Sequence, residues 1–187
     1  MAINYSELTY PATATACAVV GAVWDVKTRR IPNVITLPAF LLGLLLHLTL
    51  GGWMQMFYAL TAGVACGVIF LIFYIAGGMG AGDVKLMTAV GCIAGGANGA
   101  YLNPVASIMM LTAISGGIMA IGLALFRGRL QQTLMNVGEL LSHHTSKGLQ
   151  PHPDLNVTNA RTLRLPYALA IAAGCILTLF ITYKGAA

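Results

Sequence analysis

Charge is what this sequence most lacks. Only 10 Lys and Arg and 5 Asp and Glu stand among its 187 residues, 8% in all. A soluble domain of this size carries charge on about a quarter of its residues. Water cannot solvate so uncharged a surface, and a large soluble domain is excluded. The four cysteines, Cys17, Cys66, Cys92 and Cys175, stand singly in apolar runs with no CxxC pair. That pattern fits small buried apolar residues and not a disulfide framework or a zinc site. No HExxH occurs, and Ser107 and Ser115 have no His nearby in sequence. The common metal and serine hydrolase sets are therefore missing. The opening MAINYSELTY has no basic stretch, so no cleavable signal peptide is expected.

What is present is apolar residues, 58% of the chain. They fall into six candidate spans at about 10–24, 34–52, 54–76, 84–102, 104–126 and 166–183. The runs are continuous, without the alternation of barrel strands, so helices are expected. The predicted fold is an all-α, polytopic transmembrane bundle forming one domain in the lipid bilayer. Glycines within the spans are expected to let helices approach closely.

The net charge of +5 does not indicate nucleic acid, because the cations occupy short loops between apolar runs. Lys27, Arg29, Arg30, Lys85, Arg127, Arg129, Lys147, Arg161 and Arg164 share one side if the spans alternate, and Lys184 alone takes the other. The positive-inside rule places that basic side in the cytoplasm and both termini on the periplasmic side. Segment 127–165 is the one long polar stretch. Its first half spaces Leu130, Leu134, Val137 and Leu141 as an amphipathic helix on the cytoplasmic face. Its second half, from Ser142, is rich in turn formers and is expected to be flexible. Its Asn156-Val157-Thr158 sequon has no role in a cytoplasmic loop. His143, His144, His152 and Asp154 could gather a metal, but a solvated loop accounts for them, and no metal is expected.

Two acids need explaining. Glu7, Glu139 and Asp154 lie in polar segments, whereas Asp25 ends the first span and Asp83 precedes the fourth. Two crossings separate them, so both return to the same side at similar depth. Each could be a helix cap or a local ion-pair partner, Asp25 with Lys27 or Arg29. Asp83, however, closes Gly77-Gly78-Met79-Gly80-Ala81-Gly82-Asp83, where four glycines predict unwound backbone open to positive φ. Irregular backbone at membrane depth is tolerated where it lines a cavity. Gly80 and Gly82 would let a substrate backbone approach the carboxylate, and Lys85 is a candidate electrostatic support. Two carboxylates sharing a site share a proton, which equips them to activate water and protonate a leaving group. A small transporter, or an assembly subunit with structural aspartates, would also place acids at helix breaks.

Gly80-Ala81-Gly82-Asp83 resembles the GxGD signature of membrane aspartyl proteases. Asp25 followed by Val26-Lys27-Thr28-Arg29-Arg30-Ile31-Pro32-Asn33 is similar to the first-aspartate motif of the prepilin peptidases, and Leu165-Pro166-Tyr167-Ala168 to the start of that family's last span. The chain looks like the short Tad/Flp-type form. The resemblance implies Asp25 and Asp83 as catalytic pair and no cofactor. It implies prepilin substrates with short basic leaders, cut after a Gly at the cytoplasmic face of the bacterial inner membrane. Pilus or type II-like secretion machinery are the implied partners. Longer relatives carry paired CxxC motifs and also methylate the product; without those motifs, methyl transfer is not expected here. Segment 127–165 is less typical of the family.

The topology is testable in intact cells. A membrane-impermeant thiol reagent should leave Arg30→Cys and Arg129→Cys at the parent's background. Labelling of either from outside would break the alternation that brings the aspartates together.

Overall fold

The computed structural model describes residues 5–95, 104–148, 150, 155 and 166–186. Its elements are α1 (Tyr5–Thr28), α2 (Asn33–Ile75), α3 (Ala81–Ala94), α4 (Pro104–Phe126), α5 (Leu130–Lys147) and α6 (Tyr167–Ala186). Among the described residues there is no strand, so the fold is all-α. Residues 96–102 of the fourth expected span, His152, Asp154, the Asn156 sequon, Arg161 and Arg164 lie outside the described residues, as does the side chain of Glu7.

Among the described residues, three helices are long and apolar enough to cross a membrane: α2, α4 and α6. At 24 residues, α1 is about 36 Å long, but Ala and Thr dilute its apolarity. The 14 residues of α3 reach only about 21 Å.

The 43-residue α2 is two helices in one. Residues early in α2 meet α3 in increasing order: Phe40 accepts from the Cys92 thiol, and His47 reaches Ile93. Later residues meet it in decreasing order, with Ala59 and Ala62 at Gly95, Gly63 at Cys92 and Gly67 at Thr88. The chain therefore reverses direction between the two sets. It does so at Gly52, with φ 76° and ψ −172°, a conformation nearly closed to side chains. The break falls where the second and third expected spans meet.

α3 is the centre of the bundle. Leu86, Met87, Val90 and Ile93 are fully buried between α1, α2 and α6. Helix α1 runs antiparallel to it: Gly21 lies against Leu86, and Tyr10 stacks on His47, which meets Ile93. The His47 imidazole lies 3.0 Å from the Ile93 carbonyl, in the last turn of α3, where a helix has no N–H of its own to offer. α4 and α6 pair antiparallel, with Gly174 under Thr112 and Ile108, and Gly116 under Tyr167 and Ala170.

α5 departs from expectation. It continues through Ser142–Lys147, the stretch read as flexible. The hydroxyls of Thr145 and Ser146 turn back onto Ser142 O at 2.9 and 2.8 Å, so these polar residues satisfy themselves within the helix. Lys147 in the last turn complements the helix dipole, and Gly148, at φ 68°, ends it. Leu134, Met135 and Val137 are exposed along its length.

Two glycines separate the reversal from general flexibility. Gly52→Ala should cost about 1–3 kcal/mol. Gly117→Ala should be neutral or stabilising by up to about 1 kcal/mol, because nothing lies within 4 Å of its added methyl. Melting temperatures in detergent check both. Equal behaviour of the two variants would contradict the reversal at Gly52.

Candidate active site

The Gly21–Leu86 contact sets the level of the two acids. Asp25 follows Gly21 by one turn of α1, and Asp83 precedes Leu86 by nearly one turn of α3. Because the helices are antiparallel, both carboxylates come to the same end of the bundle. Asp83 is 9% exposed, and Asp25 is half-buried.

Each acid is framed by a helix end. α1 closes with Arg29 N–H donating to Asp25 O at 2.8 Å, and Arg29 takes φ 55°. That is an uncommon region for a side chain, used here as the C-terminal stop of the helix. Thr28 Oγ1 sits 2.8 Å from Arg30 O and steadies the turn. At α3, Asp83 occupies the third helical position. Its Oδ2 accepts from Gly80 N–H at 3.1 Å, and its own N–H donates to Gly80 O at 3.1 Å. Asp83 is thus a cap of α3 as well as a buried acid.

The glycine run is ordered by this capping. Positive φ falls at Gly77 (79°), while Gly80 is extended at φ −87°, ψ 154°. The expectation of positive φ at Gly80 and Gly82 is not met, since the Asp83 cap holds ordinary helix-entry geometry. Gly82 serves packing instead. A Cβ there would lie 3.1 Å from Ile31 Cβ, and Ile31 is buried. Gly80 is exposed, and a Cβ on it would stand 3.3 Å from Asp83 Oδ2.

Lys85 is turned away from the acids. Its ammonium donates to Asn33 Oδ1 at 2.9 Å, as befits a position two residues from Asp83 and so on the other face of α3. Ile31 on Gly82 and Asn33 on Lys85 together seat the 29–33 loop on the GxGD turn. Asn33, Lys85, Thr36, Leu37, Phe40 and Thr88 line a groove of about 350 Å³ on that outer face.

Both acids hold a proton more readily than a solvated carboxyl. Burial pushes the Asp83 carboxyl up to about 6, with the Gly80 N–H pulling it down and the Asp25 charge pushing it further up. Burial also raises Asp25, against the lowering pull of the Arg29 guanidinium. Tyr167, at the start of α6, lies within electrostatic reach of Asp83. Sequence reasoning gave that tyrosine no role; its position at the mouth of the last span was the available signal. Among the described residues, no three His, Cys, Asp or Glu side chains gather as a metal site.

The model of the type IV leader peptidase family matches residues 12–124, a stretch holding both aspartates. No curated protein and no solved structure matches the chain.

The packing role of Gly82 is measurable by melting. Gly82→Val should lower the melting temperature by several degrees, because Ile31 and its loop must move. Gly80→Ala should melt close to the parent, since its methyl meets only the Asp83 side chain. The reverse order would contradict the seating of Ile31.

Proposed function

The chain belongs to the type IV leader peptidase family, and on that premise we propose that it is a membrane aspartyl endopeptidase with Asp25 and Asp83 as its catalytic pair. The observation that carries the reading is the meeting of two motif aspartates at one end of the bundle. Asp83 is buried there, with its carboxyl raised to about 6 beside Asp25.

The mechanism follows from one proton on two carboxylates. The ionised acid takes a proton from water, and the water oxygen attacks the peptide carbonyl carbon. The protonated acid gives its proton to the developing oxyanion. The first acid, now carrying the proton from water, gives it to the amine, which leaves as the carbon–nitrogen bond breaks. The pair titrates as a unit, so neither acid alone owns the starting proton. This scheme uses neither metal nor cofactor. Exposed Gly80 offers the side from which substrate backbone reaches Asp83. Gly82 supports the site through Ile31. Lys85 acts through Asn33, holding the loop in place.

The substrate class is a prepilin whose short basic leader lies in the cytoplasm ahead of an apolar helix, with the cut after a Gly at the boundary. The resemblance of its two aspartate motifs to the Tad/Flp-type form favours Flp-like pilins. The charge bias of the loops favours an inner-membrane enzyme with its site toward the cytoplasm and both termini periplasmic. Its product would feed pilus assembly or type II-like secretion.

Asp25→Asn and Asp83→Asn keep the shape of each side chain. Either should slow cleavage of a purified prepilin by several orders of magnitude while the protein still melts cooperatively. Processing near the parent's rate by either variant would sink the pair. The pH dependence has a definite sign. As pH rises through about 6 the shared proton is lost, no acid remains to protonate the oxyanion, and kcat/KM of the parent should fall. A rate unchanged from about pH 5 to about pH 8 would contradict a working proton on this pair.

A further inference from the structure

The groove on the outer face of the GxGD turn has no part in the chemistry of the acids. Asn33, Thr36, Leu37 and Phe40 of α2 line it together with Lys85 and Thr88 of α3, around a volume of about 350 Å³. At about 30 Å³ for a water-sized group, such a volume takes roughly a dozen heavy atoms. The polar groups on its wall are donors. The Lys85 ammonium gives one N–H to Asn33 Oδ1 at 2.9 Å and has two more. Asn33, with its oxygen turned to Lys85, keeps both amide N–H bonds to give. Thr36 is 5% exposed, and among the described residues its hydroxyl makes no hydrogen bond. A buried hydroxyl ordinarily has a partner. The Thr88 hydroxyl is already spent on Val84 O at 2.8 Å. Among the described residues no acid lines the groove. It opens at the first turn of α2, the positive end of that helix.

We propose that this groove binds an anionic phospholipid, its phosphate held by Lys85, Asn33 and Thr36 and its acyl chain laid along α2. The donors set the sign of the ligand. A positive charge, amide and hydroxyl donors and no acid suit anionic oxygens, which take charge-assisted hydrogen bonds from such groups. The apolar wall sets its class. Leu37 and Phe40 stand beside the donors, and Val34, Leu37, Leu41 and Leu45 continue from there as an exposed apolar stripe. Their spacing of three and four keeps them on one face. That face belongs to α2, which is long and apolar enough to cross a membrane, so hydrocarbon covers it. The groove lies where the stripe reaches the end of the helix, the level at which a lipid carries its phosphate. A carboxylate of the peptide substrate fits less well, because Lys85 is on the face of α3 turned away from Asp83. A phosphate on Lys85 and Asn33 also bridges α3 to the first turn of α2, beside the contact of Ile31 with Gly82.

The test is binding, read by native mass spectrometry of the purified full-length chain in neutral detergent. The probes are dioleoyl phosphatidylglycerol, dioleoyl phosphatidylcholine and inorganic phosphate. The parent should bind phosphatidylglycerol about tenfold more tightly than phosphatidylcholine, whose own cation sits beside its phosphate, and more tightly than inorganic phosphate. Lys85→Gln should weaken phosphatidylglycerol binding about tenfold, and Thr36→Val, close to the parent in shape, by about threefold or more. Lys27→Gln removes an exposed cation that does not line the groove, and should stay within about twofold of the parent. Melting in lipid-free detergent shows that each variant is folded, and Thr36→Val decides the matter where Lys85→Gln is not. Equal affinity for the two lipids, or Lys27→Gln as damaging as Lys85→Gln, overturns the site. Inorganic phosphate bound as tightly as the lipid overturns the acyl track, and a prepilin that displaces the lipid one for one gives the groove to substrate instead. No reading depends on cleavage, so the site stands or falls apart from the protease assignment.

Discussion

Leu86 fills the notch that Gly21 leaves in α1, and the rest of the site depends on that contact. A side chain on Gly21 would meet the Leu86 methyls at 2.8 and 3.0 Å, so the helices could not lie this close. The contact fixes the antiparallel register of α1 and α3. One turn beyond it on each helix stands an aspartate. Neither acid reaches the other through the chain, since the whole of α2 lies between them. Their meeting is a product of helix packing. α2, folded back at Gly52, embraces α3 with both its halves and keeps that short helix in place.

The same packing sets the electrostatics. At the end of a bundle with so few charges, Asp83 has little water around it, and burial is the main cause of its raised pKa. A buried carboxylate is tolerated when hydrogen bonds and neighbouring charges are arranged for it. Here the arrangement is spare: the Gly80 N–H on Asp83, and the Arg29 charge acting on Asp25. Both carboxyls are therefore protonated more readily than solvated ones. On the proposed reading, this shared burial supplies the two protonation states that acid–base hydrolysis needs.

Much of this was legible in the sequence, for reasons that are physical. Charge scarcity forced a helical membrane bundle. The expected second and third spans parted after residue 52, and the structure turns at Gly52. Two crossings between Asp25 and Asp83 predicted a shared end, which the packing provides. Other features depend on contacts that no local pattern encodes. Gly82 is small because Ile31, 51 positions earlier, rests on it. Lys85 looked like a support for the acids, but helix geometry sends it to Asn33. Segment Ser142–Lys147 carries turn-forming residues yet stays helical, because its hydroxyls bond back within the helix.

The central claim is that this chain cuts a prepilin at the membrane boundary. The most direct measurement is the intact mass of a small Flp-like prepilin co-expressed with the parent chain. The account predicts a pilin lighter by its whole basic leader, with the new N-terminus following a Gly. A pilin that keeps its full-length mass beside abundant, folded enzyme, for every pilin encoded with it, would contradict the claim.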